Sequence, residues 1–219
     1  MSKPALTIAI LAKEAKVFAV VESAHAEPIL YGVTDGKAVG TYLELKFRKY
    51  LADRYEFEQG NAAKGIDFPD IGVDVKVTSI KQPQSSCPYR SARQKVFGLG
   101  YSLMVFVYEK TDDAKAKTGR LDIQHVIMVD AKRTADFQMT KGLLQILDNE
   151  GNAEDLIAYM TDKNLPVDEI EATKIAADLL KKRPEQGYLT ISNALQWRLQ
   201  YARVIEQAGK VDGITRVGL

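Results

Sequence analysis

Apolar residues recur at helical spacing from about Leu6 to Ser23 and again from about Lys37 to Tyr55, which predicts two helices near the start of the chain. Between them, Thr34-Asp35-Gly36 supplies a turn and a start signal for the second helix. After Gly60 the period changes. Gly72-Val-Asp-Val-Lys-Val-Thr-Ser-Ile80 alternates strictly, with Val73, Val75 and Val77 on one side and Asp74, Lys76 and Thr78 on the other. That pattern predicts a strand with one face in a core. Lys81 to Tyr89, with two prolines and two serines, reads as a loop leading into a basic helix over roughly 89–97. Tyr101 to Tyr108 is a continuous apolar, β-branched and aromatic run and predicts a buried strand, with another over Asp122 to Val129. From Thr134 the helical period returns, predicting helices near 134–148, 153–162, 167–182 and 190–208, separated by Pro166 and by Pro184 to Gly187. A short apolar tail, Gly213 to Leu219, fits a last strand. The order of helices, strands and helices places the fold in the α/β class: a mixed β-sheet flanked by helices over 1–165, with a helical C-terminal part over 166–219 packed on it.

Composition narrows the functions open to such a fold. With 219 residues, 46% hydrophobic and 27% charged, the chain can bury one substantial core or a core with a small appendage. A net charge of +1 excludes a surface coated in positive charge but leaves room for a local cluster of Lys and Arg on a phosphate backbone. The apolar stretch Ala5 to Val21 is too short, and too interrupted by Lys13, Glu14 and Lys16, to cross a membrane. The single cysteine, Cys87, rules out an intrachain disulfide and fits a reducing, cytoplasmic setting. With no obvious base beside it, Cys87 reads as a small side chain in a loop. The two histidines, His25 and His125, lie far apart, which argues against a His-built zinc site. Gly98-Leu-Gly100 is too short for a nucleotide-cradling loop, and there is no Gly-x-Ser-x-Gly elbow.

The most informative stretch is Ile66-Asp-Phe-Pro-Asp-Ile-Gly-Val-Asp-Val-Lys76. Pro69-Asp70 and Gly72 supply turn chemistry that brings Asp67 back towards the strand carrying Asp74. Alternation then makes Asp74 and Lys76 neighbours on one face. Two carboxylates and an ammonium converge, a set suited to phosphodiester hydrolysis: oxygen ligands hold Mg²⁺, and the lysine orients a water or offsets charge on the phosphorane. Spacing alone leaves two alternatives open. The stretch can be an ordinary surface hairpin with an Asp–Lys pair, and Asp70 is a rival for the first acid, although it falls at the tip of the turn.

These residues resemble the PD-(D/E)xK nuclease superfamily, which includes many type II restriction endonucleases. They are most similar to the methyl-directed mismatch-repair nicking endonuclease and its restriction-enzyme relatives. That signature is an Asp, six residues, an acid, any residue and Lys, with Gly-Val before the second acid; Asp67, Gly72-Val73, Asp74 and Lys76 fall in it. Lys37-Ala-Val-Gly40-Thr-Tyr-Leu-Glu44 is similar to the helix that precedes the motif and adds a further acid, here Glu44. The interval from Glu44 to Asp67 is longer than in the repair enzyme. The resemblance implies a restriction-endonuclease-like core, Mg²⁺ held by Asp67 and Asp74 with Glu44 completing the site, and Lys76 orienting the attacking water. It implies double-stranded DNA as substrate and a restriction enzyme for which a homodimer is open.

Lys81 and the basic segment Arg90, Arg93 and Lys95 follow the strand closely in sequence and are candidates for DNA contacts. The solvated side of a short helix is the plain alternative. Lys181-Lys-Arg183 favours a helix C-terminus, and the segment from Thr190 to Arg203 could join the preceding helix in a helix-turn-helix-like pair. Two other functions therefore stand beside the restriction enzyme: a non-catalytic DNA-binding protein using the C-terminal helices, and a mismatch-repair-type nickase.

Overall fold

A computed structural model describes residues 3–58, 60, 65–87, 90–192 and 197–218. The chain forms two compact units, one comprising residues 1–84, 102–129 and 207–219, the other 85–101 and 130–206. Among the described residues no helix is long and apolar enough to cross a membrane.

The first unit is a mixed sheet with two helices. Helix α1 (Ile8–Ser23) starts where the Thr7 hydroxyl accepts from the Ile10 amide, and α2 (Gly36–Ala52) where the Asp35 carboxylate accepts from Lys37 and Ala38. Strands β1 (Ala26–Glu27), β2 (Val73–Ser79), β4 (Ser102–Asp113), β5 (Thr118–Val129) and β8 (Ile214–Gly218) form the sheet; the remaining strands and helices belong largely to the second unit. The order is β1-β5-β4-β2, with β8 also pairing β5. β2 runs parallel to β4, the other pairs are antiparallel, and β2 is an edge strand. Val73, Val75 and Val77 pack with Val39, Leu43 and Phe47 of α2 and with Phe18 of α1. Phe18, Phe47 and Phe106 meet at tilted and edge-on angles in the middle of that core. The expectation of a half-buried β2 is revised: Asp74 and Thr78, on its other face, are buried as well.

The second unit contains the short helix α3 (Arg93–Phe97), then α4 (Phe137–Asp148), α5 (Ala153–Asp162) and α6 (Glu169–Lys181). Met139, Leu143, Leu156, Met160, Ile175 and Leu179 supply its core. Gly142 lets α4 and α5 approach, since a Cβ there would stand 2.1 Å from the Tyr159 ring. The helix predicted over 190–208 is corrected. Thr190–Ile191 (β6) and Trp197–Gln200 (β7) are antiparallel strands, followed by the short helix α7 (Ala202–Gln207). Trp197 and Leu199 are buried while Arg198 and Gln200 are exposed, a period of two that the apolar count over a longer window obscured. With β3 (Gln84–Cys87), part of the segment read as a loop, they form a sheet in the order β3-β7-β6. A helix-turn-helix pair is therefore absent from 190–192 and 197–203. Its remaining residues 193–196, and Tyr89 at the predicted start of the basic helix, lie outside the described residues.

Candidate active site

Asp67, Asp74 and Lys76, singled out by spacing, and Glu44, singled out by the resemblance, come together at the β2 edge of the first unit. Phe68 anchors the turn before β2: it is 1% exposed and its ring stands edge-on to Phe57 at 5.2 Å. Pro69–Ile71 make a single 3₁₀ turn, and Gly72 adopts φ +61°, which glycine accommodates without a Cβ clash. Phe68 and Val73 then exchange backbone hydrogen bonds of 2.9 and 3.2 Å. That closure lays Asp67 beside β2, where its Oδ2 accepts the Val75 amide at 2.9 Å.

Asp67 Oδ1 accepts from Arg48 of α2, one helical turn beyond Glu44. Asp74 lies within hydrogen-bonding reach of Asp67, and Lys76 Nζ stands 2.6 Å from Asp74 Oδ2. That contact is an ion pair, and no hydrogen bond reaches the buried Oδ2. Three carboxylates, Glu44, Asp67 and Asp74, thus share one field with Lys76 and Arg48.

The field raises the affinity of the acids for protons. Burial, followed by the like charge of Asp67, pushes Glu44 up to about 7, against the pull of Lys76 and Arg48. Burial also lifts Asp74 to about 6, opposed by Lys76 and reinforced by Asp67. Raised carboxyl groups packed together at a sheet edge are the arrangement a hard cation relieves.

The donor set fits Mg²⁺, which keeps several waters and takes only one or two protein carboxylates. Asp74 Oδ2, buried without a hydrogen bond, is the atom that would gain most. Among the described residues no three His, Cys, Asp or Glu side chains are gathered tightly enough to enclose an ion by themselves. A two-carboxylate site completed by water is consistent with that.

Other candidates are placed differently. Asp70 is exposed and its Oδ2 accepts the Glu58 amide at 2.7 Å. Lys81 and Arg90 are exposed. Arg93 is paired with Glu171 and Asp178 of α6. Lys95 is 4% exposed, and burial lowers its pKa. Of these four bases only Lys81 and Arg90 stand fully at the surface. Arg48 was not singled out in the sequence. Its signal was position i+4 from Glu44, but arginines at such spacing are ordinary on a solvated helix face.

The model of the family described as type II restriction enzyme NspV matches residues 5–216. A type II restriction enzyme NspV from Nostoc sp. (strain ATCC 29411 / PCC 7524) is 66% identical over 212 residues, covering 97% of this chain and 96% of that protein. No solved structure matches.

Proposed function

This chain belongs to the NspV family of type II restriction enzymes, and on that premise we propose that it cuts double-stranded DNA through a Mg²⁺ site of the PD-(D/E)xK kind. It is a site-specific DNA endonuclease. The observation that carries the assignment of the site is the buried Asp74 carboxylate, set between Asp67 and Lys76 with one oxygen lacking a hydrogen bond.

In this reading Asp67 and Asp74 hold the ion and Glu44 completes the site, directly or through water. Bound there, Mg²⁺ polarises the scissile phosphate and lowers the pKa of water. The Val75 amide keeps Asp67 turned towards Asp74. Lys76, side chain 17% exposed, has its Nζ held at Asp74. From there it orients the attacking water and donates to a phosphate oxygen as negative charge grows. Lys81 and Arg90 contact the duplex backbone, and two copies of the chain act together to cut both strands in the cytoplasm.

Purified protein incubated with plasmid and Mg²⁺ should give double-strand cuts at fixed positions, abolished by EDTA. Lys76→Ala should bind specific DNA in Ca²⁺ as the wild type does, yet cut it about a hundredfold or more slowly in Mg²⁺. Equal losses of binding and cleavage would make Lys76 a contact residue. Nicks in one strand only would favour the repair-type enzyme instead.

A further inference from the structure

Arg48 occupies an unusual place for a residue outside the motif. Its guanidinium pairs with Asp67 Oδ1 while the other oxygen of Asp67 is taken by the Val75 amide. The pair is largely enclosed, with side-chain exposures of 25% for Arg48 and 16% for Asp67. Arg48 Nε is buried and has no acceptor, so the guanidinium is not locked into a fully satisfied structural network. A purely structural arginine at this depth is expected to satisfy its edge, because an unpaired buried donor is costly.

The two partners of Asp67 do different work. The Val75 amide belongs to the β2 backbone and fixes the orientation of the carboxylate. Arg48 adds charge. Without an ion, three carboxylates face two cations, and loss of one cation would leave Asp67 against Asp74 and Glu44. With an ion on Asp67, the same guanidinium would stand beside a ligand carboxylate and repel the divalent charge.

We infer that Arg48 is the resident counter-ion of the ion-free site, a positioning residue that holds Asp67 until a divalent cation takes that carboxylate. Arg48 therefore weakens cation binding to the free protein. The inference rests on Asp67 being a metal ligand.

Calorimetric titration of the full chain with Ca²⁺, without DNA and at pH 8, tests it. Arg48→Gln should bind Ca²⁺ about tenfold more tightly than wild type, because a unit charge a few ångströms away has been removed. Arg48→Lys, which keeps the charge, should stay near wild type. Asp67→Asn should bind at least about tenfold more weakly. A merely structural arginine would give the opposite sign, since a loosened site binds less. Equal or weaker binding by folded Arg48→Gln, with Asp67→Asn weakened, overturns the role of Arg48 alone. Unchanged binding by Asp67→Asn overturns the ligand reading and the Arg48 role with it. Should a melting curve show Arg48→Gln unfolded, Arg48→Met, which keeps the apolar stem, carries the same expectation and the same refutation.

Discussion

Helix α2 carries two buried acid clusters on different faces, and they solve the same electrostatic problem in opposite ways. On one face, Glu22 of α1 is 3% exposed and both its oxygens are engaged: Tyr42 Oη donates to Oε1 at 2.9 Å and Lys46 Nζ lies 2.8 Å from Oε2. Lys46 also donates to Tyr42 Oη at 2.6 Å, and burial with the neighbouring carboxylates pushes the Tyr42 phenol far up. Glu27, at the margin, is held below the usual carboxylate range, chiefly by its hydrogen bond with His25. On the other face, Asp74 is as deeply buried at 4% and Lys76 Nζ lies 2.6 Å from its Oδ2, but Asp67 and Glu44 crowd the same field and the Asp74 pKa is raised. Burial of an acid therefore identifies nothing by itself. Surplus negative charge, three carboxylates against two cations, distinguishes a cluster suited to holding a cation from a closed structural network.

The comparison is broken most directly by removing one acid from each cluster. Asp74→Asn should slow plasmid cleavage in Mg²⁺ by about a thousandfold or more, because a neutral amide is a poor ligand for a hard cation. The ion-free protein should keep its fold, and removing a surplus charge favours it. Glu22→Ala should do the reverse. It strands Lys46 and Tyr42 and should lower unfolding free energy by about 3 kcal/mol in urea, while cleavage per folded molecule changes little. Wild-type cleavage by Asp74→Asn, or a dead but stable Glu22→Ala, would erase the distinction.

A pH titration sharpens it. Glu44 and Asp74 have folded-state pKa values above their ordinary ones of 4.5 and 3.8, at about 7 and 6. The folded protein thus binds extra protons over that interval. Their stabilising contribution is complete below the ordinary values and is lost as pH rises through about 6 to 7. Without metal, the protein should be less stable at pH 8 than at pH 5. Glu44→Gln should recover about 2 kcal/mol of that difference. Urea midpoints in EDTA at the two pH values measure it, and Ca²⁺ should flatten the slope. A Glu44→Gln protein with the wild-type slope would show that Glu44 does not feel the cluster.

Much of the first cluster's counterpart, the candidate site, was legible before folding. Asp67, Asp74 and Lys76 are fixed by a turn and a period of two, both local properties. Arg48 was not legible, since its partner lies 19 residues away and meets it only once the Phe68 turn has closed. The helices and longer strands of the first unit followed their periods closely. Thr190–Ile191 and Trp197–Gln200 did not, because strands of two and four residues are too short for a window to separate from a helix. Nor does any local pattern show that residues 85–101 form a unit with 130–206; long-range packing decides that.

The smallest expected effect decides which aspartate begins the site. Asp67 and Asp70 differ by one turn of chain, and the family's spelling alone would favour Pro69-Asp70. Geometry favours Asp67. Asp70 is exposed, and its Oδ2 accepts from the Glu58 amide, an interaction that the side-chain oxygen of asparagine can reproduce. Asp67 instead lies between Arg48 and the Val75 amide and within reach of Asp74. Asp70→Asn should therefore leave the Mg²⁺-dependent cleavage rate within about twofold of wild type, as expected of a surface substitution. Asp67→Asn, made and assayed in parallel, should lose several orders of magnitude. Because the two substitutions make the same chemical change three residues apart, shared effects on net charge or solubility cancel in their ratio. A larger loss for Asp70→Asn than for Asp67→Asn would mean that the turn closes differently when DNA is bound, placing Asp70 beside Asp74.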